Sequence, residues 1–233
     1  MTKTNAIAID GPAGAGKSTI AKNLARELGI IYVDTGAMYR AMAIHMLRGG
    51  IKLDDIRNAT DGHMPAAEAL LPSAEVKLGF EGGEQQVYLG EENVTGILRT
   101  QEVGDMASAV STNEKVRARM VELQQEIARE NSVIMDGRDI GTVVLPDAKL
   151  KVYLTASVAE RAKRRYLEQK EKNPDMTLTV EDIAREIEER DHRDMTRTHS
   201  PLRRADDAVE LDTTGLTIPE VTARVLSLWK KTE

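Results

Sequence analysis

The residues best suited to chemistry form one contiguous loop, Gly11-Pro-Ala-Gly-Ala-Gly-Lys-Ser18. It matches the pattern G-x-x-x-x-G-K-[ST], in which glycines let backbone amides turn towards phosphate oxygens. Lys17 would reach the outer phosphates, and the hydroxyl of Ser18 would be a direct ligand of Mg²⁺. A strand-like run, Ala6–Asp10, precedes the loop, and a helical pattern, Lys17–Leu28, follows it. The sequence therefore predicts a nucleoside triphosphate site made of Gly11, Pro12, Ala13, Gly14, Ala15, Gly16, Lys17, Ser18 and Thr19.

Two further polar clusters follow apolar runs. In Asp34-Thr-Gly-Ala-Met-Tyr39-Arg40, either of the first two residues can cap a helix, and Arg40 could hold a second anion. In Asp136-Gly-Arg138-Asp139, Arg138 would bind phosphate, while a carboxylate reads a hydrogen-bond donor or helps to hold Mg²⁺ through water. A solvated helix arginine in the first cluster and an internal ion pair in the second are the structural alternatives.

Arginines are concentrated in residues 161–204, which hold nine of the 19 in the chain. Arg161, Arg164 and Arg165 share a helix face by their spacing. A second helical pattern, Val180–Met195, is apolar along one face in its first half, and that face continues into charged residues at 190, 191 and 194. Two such clusters separated by a polar stretch favour a mobile lid that carries arginines.

These clusters favour phosphoryl transfer to a second phosphate-bearing substrate. A monophosphate is already an anion at neutral pH, so its oxygen can attack without a general base. This agrees with the lack of a recognisable Ser/His/Asp arrangement. Catalysis would then depend on positioning and on neutralising charge.

Helical patterns alternate with short apolar runs of strand type, and this alternation predicts an α/β domain with a parallel sheet that positions these residues. Residues 49–100 are too long for one crossover helix and contain a predicted antiparallel pair, Val76–Glu81 and Gln86–Leu89, turning at Gly82-Gly83. Helical patterns cover Thr100–Ala109 and Glu114–Glu130. The predicted sheet strands are Ala6–Asp10, Ile30–Val33, Val133–Asp136, Leu150–Leu154 and Ala208–Leu211.

Composition excludes several classes of function. The net charge of −6 disfavours a general nucleic-acid surface, and aromatic residues are only 3%. No stretch without a charged residue is longer than eight residues, the length of Met106–Asn113, so no membrane span is expected. The chain has no cysteine, which fits a reducing cytoplasm. No feature demands a partner protein, so a monomer is expected.

The motifs resemble those of bacterial cytidylate kinases. The residues that carry the resemblance are AIDGPAGAGKST, DTGAMYRA, TQEVGDMAS, MDGRDIGTVVLPDA and ERDHRDMTR, in that order from about Ala6 to Asp212. The resemblance implies a P-loop core with a five-stranded parallel sheet and helices on both faces, an inserted small α+β monophosphate-binding region and a helical lid. We expect the core at about 1–35, 110–157 and 198–233, the monophosphate region at 36–109 and the lid at 158–197.

The resemblance also implies an activity and a set of site residues. The activity is Mg²⁺-assisted transfer of the ATP γ-phosphoryl group to CMP or dCMP. Arg40, Arg138 and Arg197 would hold the CMP phosphate; Ser108, Arg117 and Asp139 would read cytosine; Arg190 and Asp194 would hold the ribose. Thr35, where many relatives have serine, Tyr39 and Asp136 complete the expected CMP site. Lys17, Arg138, Arg161, Arg165 and Arg197 are the expected catalytic residues, with Arg161 and Arg165 as lid arginines near ATP.

Three alternatives remain open on the sequence. Another small P-loop kinase would use a different acceptor and different base-reading residues. A P-loop regulatory switch would hydrolyse triphosphate without a monophosphate, although no N-K-x-D guanine signature is present. A non-catalytic nucleotide-binding scaffold would bind without turnover.

Overall fold

A five-stranded parallel sheet with helices on both faces organises the computed structural model, which describes residues 4–57 and 64–232. Its strand order is β2-β6-β1-β7-β8. A separate antiparallel sheet has the order β3-β4-β5. The predicted α/β class is thus confirmed. The strands are β1 (Thr4–Asp10), β2 (Ile31–Asp34), β3 (Val76–Glu81), β4 (Glu84–Leu89), β5 (Glu92–Asn93), β6 (Val133–Gly137), β7 (Ala148–Thr155) and β8 (Val209–Asp212).

Helices connect these strands within the described ranges. They are α1 (Lys17–Leu28), α2 (Thr35–Arg48), α3 (Leu53–Arg57), α4 (Pro65–Leu70), α5 (Gln101–Val110), α6 (Glu114–Glu130), α7 (Val158–Lys172), α8 (Val180–Thr196) and α9 (Ile218–Lys230). Short 3₁₀ turns occupy Leu71–Ser73 and Thr95–Ile97, and a π-turn occupies Ile140–Val144.

The chain divides into two compact units, residues 1–30 with 132–233, and residues 31–131. The predicted core, monophosphate-region and lid boundaries remain a prediction. Positions 1–3, 58–63 and 233 of those ranges lie outside the described residues.

In the first unit, β1 lies between β6 and β7 with parallel register, so that Ile9 pairs with Asp136 on one side and Val152 on the other. Ile7, Ile9 and Ile134 are fully buried, because a parallel sheet covered on both faces needs apolar side chains on both. The carboxyl ends of the parallel strands meet at one edge of the sheet. Ligands bind at this edge in open α/β sheets.

Helices α7 and α8 of the first unit pack against each other through a small apolar cluster. Ala162, Ile183 and Ile187 are its buried residues. A capping box begins α8, because the Thr179 hydroxyl accepts from the Asp182 amide while Asp182 accepts from the Thr179 amide. The buried face of α8 continues from these isoleucines into Asp191 and Asp194, as the charged continuation of the apolar face predicts.

The second unit contains the predicted antiparallel pair. Val76–Glu81 pairs with Glu84–Leu89 around the Gly82-Gly83 turn, and the short strand β5 extends it. Its core is rich in methionine: Met38, Met42 and Met46 recur every four residues along α2 and are almost completely buried. No helix among the described residues is long and apolar enough to cross a bilayer.

Candidate active site

The phosphate loop turns sharply between β1 and α1. Gly11 has φ +146°, and a Cβ placed on it would lie 1.9 Å from the carbonyl oxygen of Leu154. Glycine is therefore required there by close packing against β7. Gly14 and Gly16 also have positive φ, and Gly16 is the residue that precedes the first helical turn. The loop thus brings the N-terminus of α1, with its unpaired amides, to the edge of the sheet.

Lys17 is buried at the start of α1. Its Nζ donates to the carbonyl oxygen of Pro12 at 2.7 Å, within its own loop. Burial, together with the positive charges of Arg138 and Arg190, lowers the pKa of Lys17 to about 7, although the carboxylates of Asp136 and Asp10 act in the opposite direction. Binding of an anion beside this buried amine would favour its charged form, so the pKa of Lys17 should rise when phosphate binds.

Ser18 and Asp136 form a pair of oxygen donors beside the loop. The Ser18 hydroxyl donates to Oδ2 of Asp136 at 2.9 Å. A hydroxyl and a carboxylate are the hard oxygen ligands that Mg²⁺ prefers, and Mg²⁺ sites of this kind are completed by water and substrate phosphates. These two residues therefore fit the metal that the sequence predicts.

A buried cluster of arginines and carboxylates connects the end of β6 with the end of α8. Arg138 Nε donates to Asp194 Oδ2 at 2.8 Å. Arg197 lies 3.9 Å from Asp194 Oδ1 and 3.8 Å from Asp139 Oδ1, and its Nε donates to the carbonyl oxygen of Ser200. Burial alone would raise the pKa of Asp194, but Arg138, Arg190 and Arg197 together hold it below its ordinary value. Charged groups of both signs are thus kept ionised in a poorly solvated place.

Asp10, the last residue of β1, was not predicted as a site residue. Its two carboxylate oxygens accept from the amides of Ile140 at 2.8 Å and Gly141 at 2.7 Å. Burial raises the pKa of Asp10 to about 6, although these two hydrogen bonds act in the opposite direction. Asp10 thereby fixes the segment that follows Asp139 against the strand that leads into the phosphate loop.

The arginines of α7 have distinct environments. Arg161 is buried and bonds to the phosphate loop through Ala13 and to Asp191 of α8. Arg165 is about one quarter exposed and lies 3.5 Å from Glu186 of α8. Asp191 is the second residue of this site that sequence reasoning missed.

The second unit holds the remaining predicted residues. The Arg117 guanidinium lies over the Tyr39 ring, 5.5 Å from its centroid, and Nη1 donates to the carbonyl oxygen of Ser111. Arg40 Nη1 donates to the carbonyl oxygen of Leu98 at 3.1 Å. This unit thus pairs Tyr39 with Arg117, both of them predicted CMP-site residues.

Helices α2 and α5 position the other residues of this unit. Asp34 caps α2 by accepting from the amide of Ala37, while Thr35 is buried in the first turn. Ser108 is half-buried on α5, one helix before Arg117. Gly104, also on α5, lies against Arg40, because an added Cβ would meet its Nη1 at 2.9 Å.

The structure therefore gathers the predicted residues in two groups. Within the first unit it brings together the phosphate loop with Asp136, Arg138, Asp139, Arg161, Arg190, Asp194 and Arg197, whereas Arg165 contacts Glu186 of α8. Within the second unit lie Thr35, Tyr39, Arg40, Ser108 and Arg117. The sequence places Asp191 on the charged continuation of the apolar face of α8 but assigns it no role in the site.

Comparisons with known proteins give one consistent result. A family model described as "Cytidylate kinase" matches residues 7–231. The "Cytidylate kinase" of Listeria monocytogenes serovar 1/2a is 49% identical over 229 residues, covering 98% of this chain and 97% of the relative. That of Caldicellulosiruptor bescii is 48% identical over 231 residues, covering 99% and 97%. A solved structure of an uncharacterized protein from Eubacterium ventriosum shares the fold, with a TM-score of 0.53 and 10% identity over 97% of this chain and 98% of that one.

Proposed function

The chain belongs to the cytidylate kinase family, and from that premise we propose that it transfers the γ-phosphoryl group of ATP to CMP, giving ADP and CDP. The observation that carries the proposal is the buried Lys17 of the phosphate loop beside the cluster of Arg138, Asp194 and Arg197. A triphosphate cradle next to buried arginines fits two anionic substrates at once.

The chemistry needs little from acid–base groups. A phosphate oxygen of CMP attacks the γ-phosphorus of ATP, and the bond to the ADP oxygen breaks. Lys17, Arg138, Arg165 and Arg197 supply positive charge to the oxygens of the transferring group. Arg161 is bound to the loop itself. Closure of the α7–α8 arm would exclude water and limit hydrolysis of ATP.

The nucleoside is recognised by residues that the resemblance to the family indicates. Ser108, Arg117 and Asp139 are proposed to read cytosine, because a hydroxyl and a carboxylate accept from its exocyclic amine and would be left unpaired by uracil. Arg190 and Asp194 are proposed to hold the ribose, with Asp194 accepting from a hydroxyl. Thr35, Tyr39, Arg40 and Asp136 complete the proposed CMP site.

Mg²⁺ is the proposed metal, held by Ser18 directly and by Asp136 through water. When bound, it neutralises charge on the phosphates of ATP. The support for this role is the Ser18–Asp136 pair of hard oxygen donors.

Five finer statements belong to the same proposal. We propose that dCMP is also an acceptor, as the family resemblance implies. We propose that the protein acts as a cytoplasmic monomer, without nucleic-acid or membrane partners. The net charge of −6 supports the lack of nucleic-acid partners, and the lack of cysteine supports the cytoplasmic location.

A panel of acceptors tests the proposal. ADP release is measured with MgATP and, separately, CMP, dCMP, UMP, AMP, GMP, dTMP or no acceptor, and then with a chelator in place of Mg²⁺. We expect turnover to be strongest with CMP and dCMP and to be lost with the chelator. Turnover with another monophosphate would keep the kinase mechanism and remove the cytosine assignments. ADP released equally without an acceptor would overturn the proposal.

A further inference from the structure

The peptide groups of Ala13, in the phosphate loop, are both engaged from the α7–α8 arm. The carbonyl oxygen of Ala13 accepts from Arg161 Nη1 at 2.9 Å, and its amide donates to Asp191 Oδ1 at 3.4 Å. The second oxygen of Asp191 lies 2.6 Å from the same Nη1. Ala13, Arg161 and Asp191 therefore form a closed ring of contacts, which we call the loop clamp.

The loop clamp is built into the interior. The exposed fractions of Ala13, Arg161 and Asp191 are 8%, 4% and 7%. Arg161 Nε donates to the carbonyl oxygen of Ala156, directly after β7, which fixes the guanidinium from behind. Gly14 lies close to Arg161, since a Cβ added to Gly14 would be 3.2 Å from Cβ of Arg161. A charged pair this well buried has a defined geometry and is little screened by salt.

The phosphate loop is rich in glycine, so contacts from outside the loop are needed to restrict its conformation. Gly11, Gly14 and Gly16 all adopt positive φ, and glycine has many other conformations available. A loop that is already ordered loses less conformational entropy when a ligand binds. By fixing both peptide groups of Ala13, the clamp removes conformational freedom at the position next to Gly14.

Asp191 is the clamp residue that α8 contributes, and its chemistry is specific. One of its oxygens meets an amide while the other meets a guanidinium, so both must be acceptors. Asparagine would present an NH₂ group in place of one of them. Three residues later on the same buried face, Asp194 meets Arg138. The helix proposed to hold the ribose is thus bonded, one turn earlier, to the loop proposed to hold ATP.

We propose that Asp191 is a positioning residue for the triphosphate: through Arg161 and the Ala13 peptide, it holds the phosphate loop in the conformation that receives ATP. This inference rests on the proposed function, which supplies ATP as the ligand. Under it, Arg161 acts on ATP through the loop.

Binding measurements on Asp191→Asn test the proposal. A non-hydrolysable ATP analogue with Mg²⁺ and, separately, CMP alone are titrated into the wild type and the variant by calorimetry. We expect affinity for the analogue to fall about 10-fold, the effect of loosening about one ordered residue. Affinity for CMP is expected to stay within about twofold. The matched control is Glu189→Gln, which removes one exposed carboxylate from the same helix and should change neither affinity.

A double variant separates positioning from general stability. Asp191→Asn leaves the Arg161 charge buried beside a neutral partner and will lower the thermal midpoint. Asp191→Asn combined with Arg161→Gln removes both charges, so the thermal midpoint should recover while affinity for the ATP analogue stays weak. If that affinity recovers together with the midpoint, Asp191 is structural only and the proposal is overturned.

Two other outcomes would also overturn it. One is unchanged affinity of Asp191→Asn for the ATP analogue; the other is an equal loss for the analogue and CMP. Failure of the proposed function looks different, because wild-type protein would then bind the analogue without any CMP-dependent formation of ADP. In that case the comparison of wild type and variant with the analogue still decides the role of Asp191.

Discussion

Replacing Lys17 with methionine should stabilise the empty protein near neutral pH while abolishing most of its turnover. Lys17 is 6% exposed, and its pKa is lowered from 10.5 to about 7 in the folded protein. That difference corresponds to a cost of at most about 5 kcal/mol for folding with the ammonium charged. Methionine keeps much of the side-chain volume and removes the charge. The cost is therefore expected to disappear from the variant.

The pH dependence of this effect has a definite sign. Between about pH 7 and 10.5 the unfolded chain keeps the proton on Lys17 while the folded protein has lost it. Because the unfolded state then binds more protons, the free energy of unfolding rises with pH in this window. Between pH 7 and pH 9, the free energy of unfolding of the wild type should rise by about 2–3 kcal/mol more than that of Lys17→Met. Urea unfolding of both proteins at the two pH values measures this, and equal pH slopes would refute the reasoning.

ATP binding should reverse the shift. Phosphate oxygens favour the charged ammonium, so the pKa of Lys17 should rise on binding and the protein should take up close to one proton at pH 8.5. Calorimetric titration of the ATP analogue in two buffers with different ionisation enthalpies measures the number of protons taken up on binding. Lys17→Met should take up none and should lose about 10²–10³-fold in kcat while keeping its circular dichroism spectrum. Wild-type binding without proton uptake, or a folded variant with normal turnover, would contradict the account.

Three other substitutions test separate parts of the structure. Asp139→Ala should reduce the preference for CMP over UMP by more than it reduces activity on UMP, measured as kcat/KM for each; equal losses would remove Asp139 from base reading. Gly11→Ala places a Cβ 1.9 Å from the Leu154 carbonyl oxygen, so soluble folded protein should not accumulate, and a normal melting curve would be contrary to this. Asp10→Ala leaves the two buried amides of residues 140 and 141 without their acceptor and should cost about 2–4 kcal/mol in urea unfolding; a loss below about 1 kcal/mol would disagree.

Local sequence was sufficient for the features that depend on neighbouring residues. The phosphate loop was predictable because its eight residues are contiguous and its glycines, lysine and serine each have a defined role towards phosphate or Mg²⁺. The antiparallel pair of β3 and β4 was predictable from Gly82-Gly83, since both adopt the positive φ that a tight turn needs. The apolar face of α8 predicted Ile183 and Ile187 as core residues, and the structure confirms both.

Long-range contacts could not be predicted in the same way. Asp10 bonds to an amide 131 residues away, and Asp191 to one 178 residues away. Such partners depend on strand order and helix packing, about which a local pattern carries no information. An aspartate at the end of a strand is also a common turn residue. Its residue type alone therefore does not tell whether it accepts hydrogen bonds from a neighbouring segment, as Asp10 does, or binds a ligand.

Transfer of label from [γ-³²P]ATP is the most direct measurement of the central claim. Wild-type protein is incubated with MgATP and CMP, and the products are separated by chromatography, with Lys17→Met as the matched control. We predict that the label moves into CDP, that little appears as free phosphate, and that the variant transfers at least about 100-fold more slowly. Label released mainly as free phosphate, at the same rate with or without CMP, would contradict the assignment of this chain as a CMP kinase.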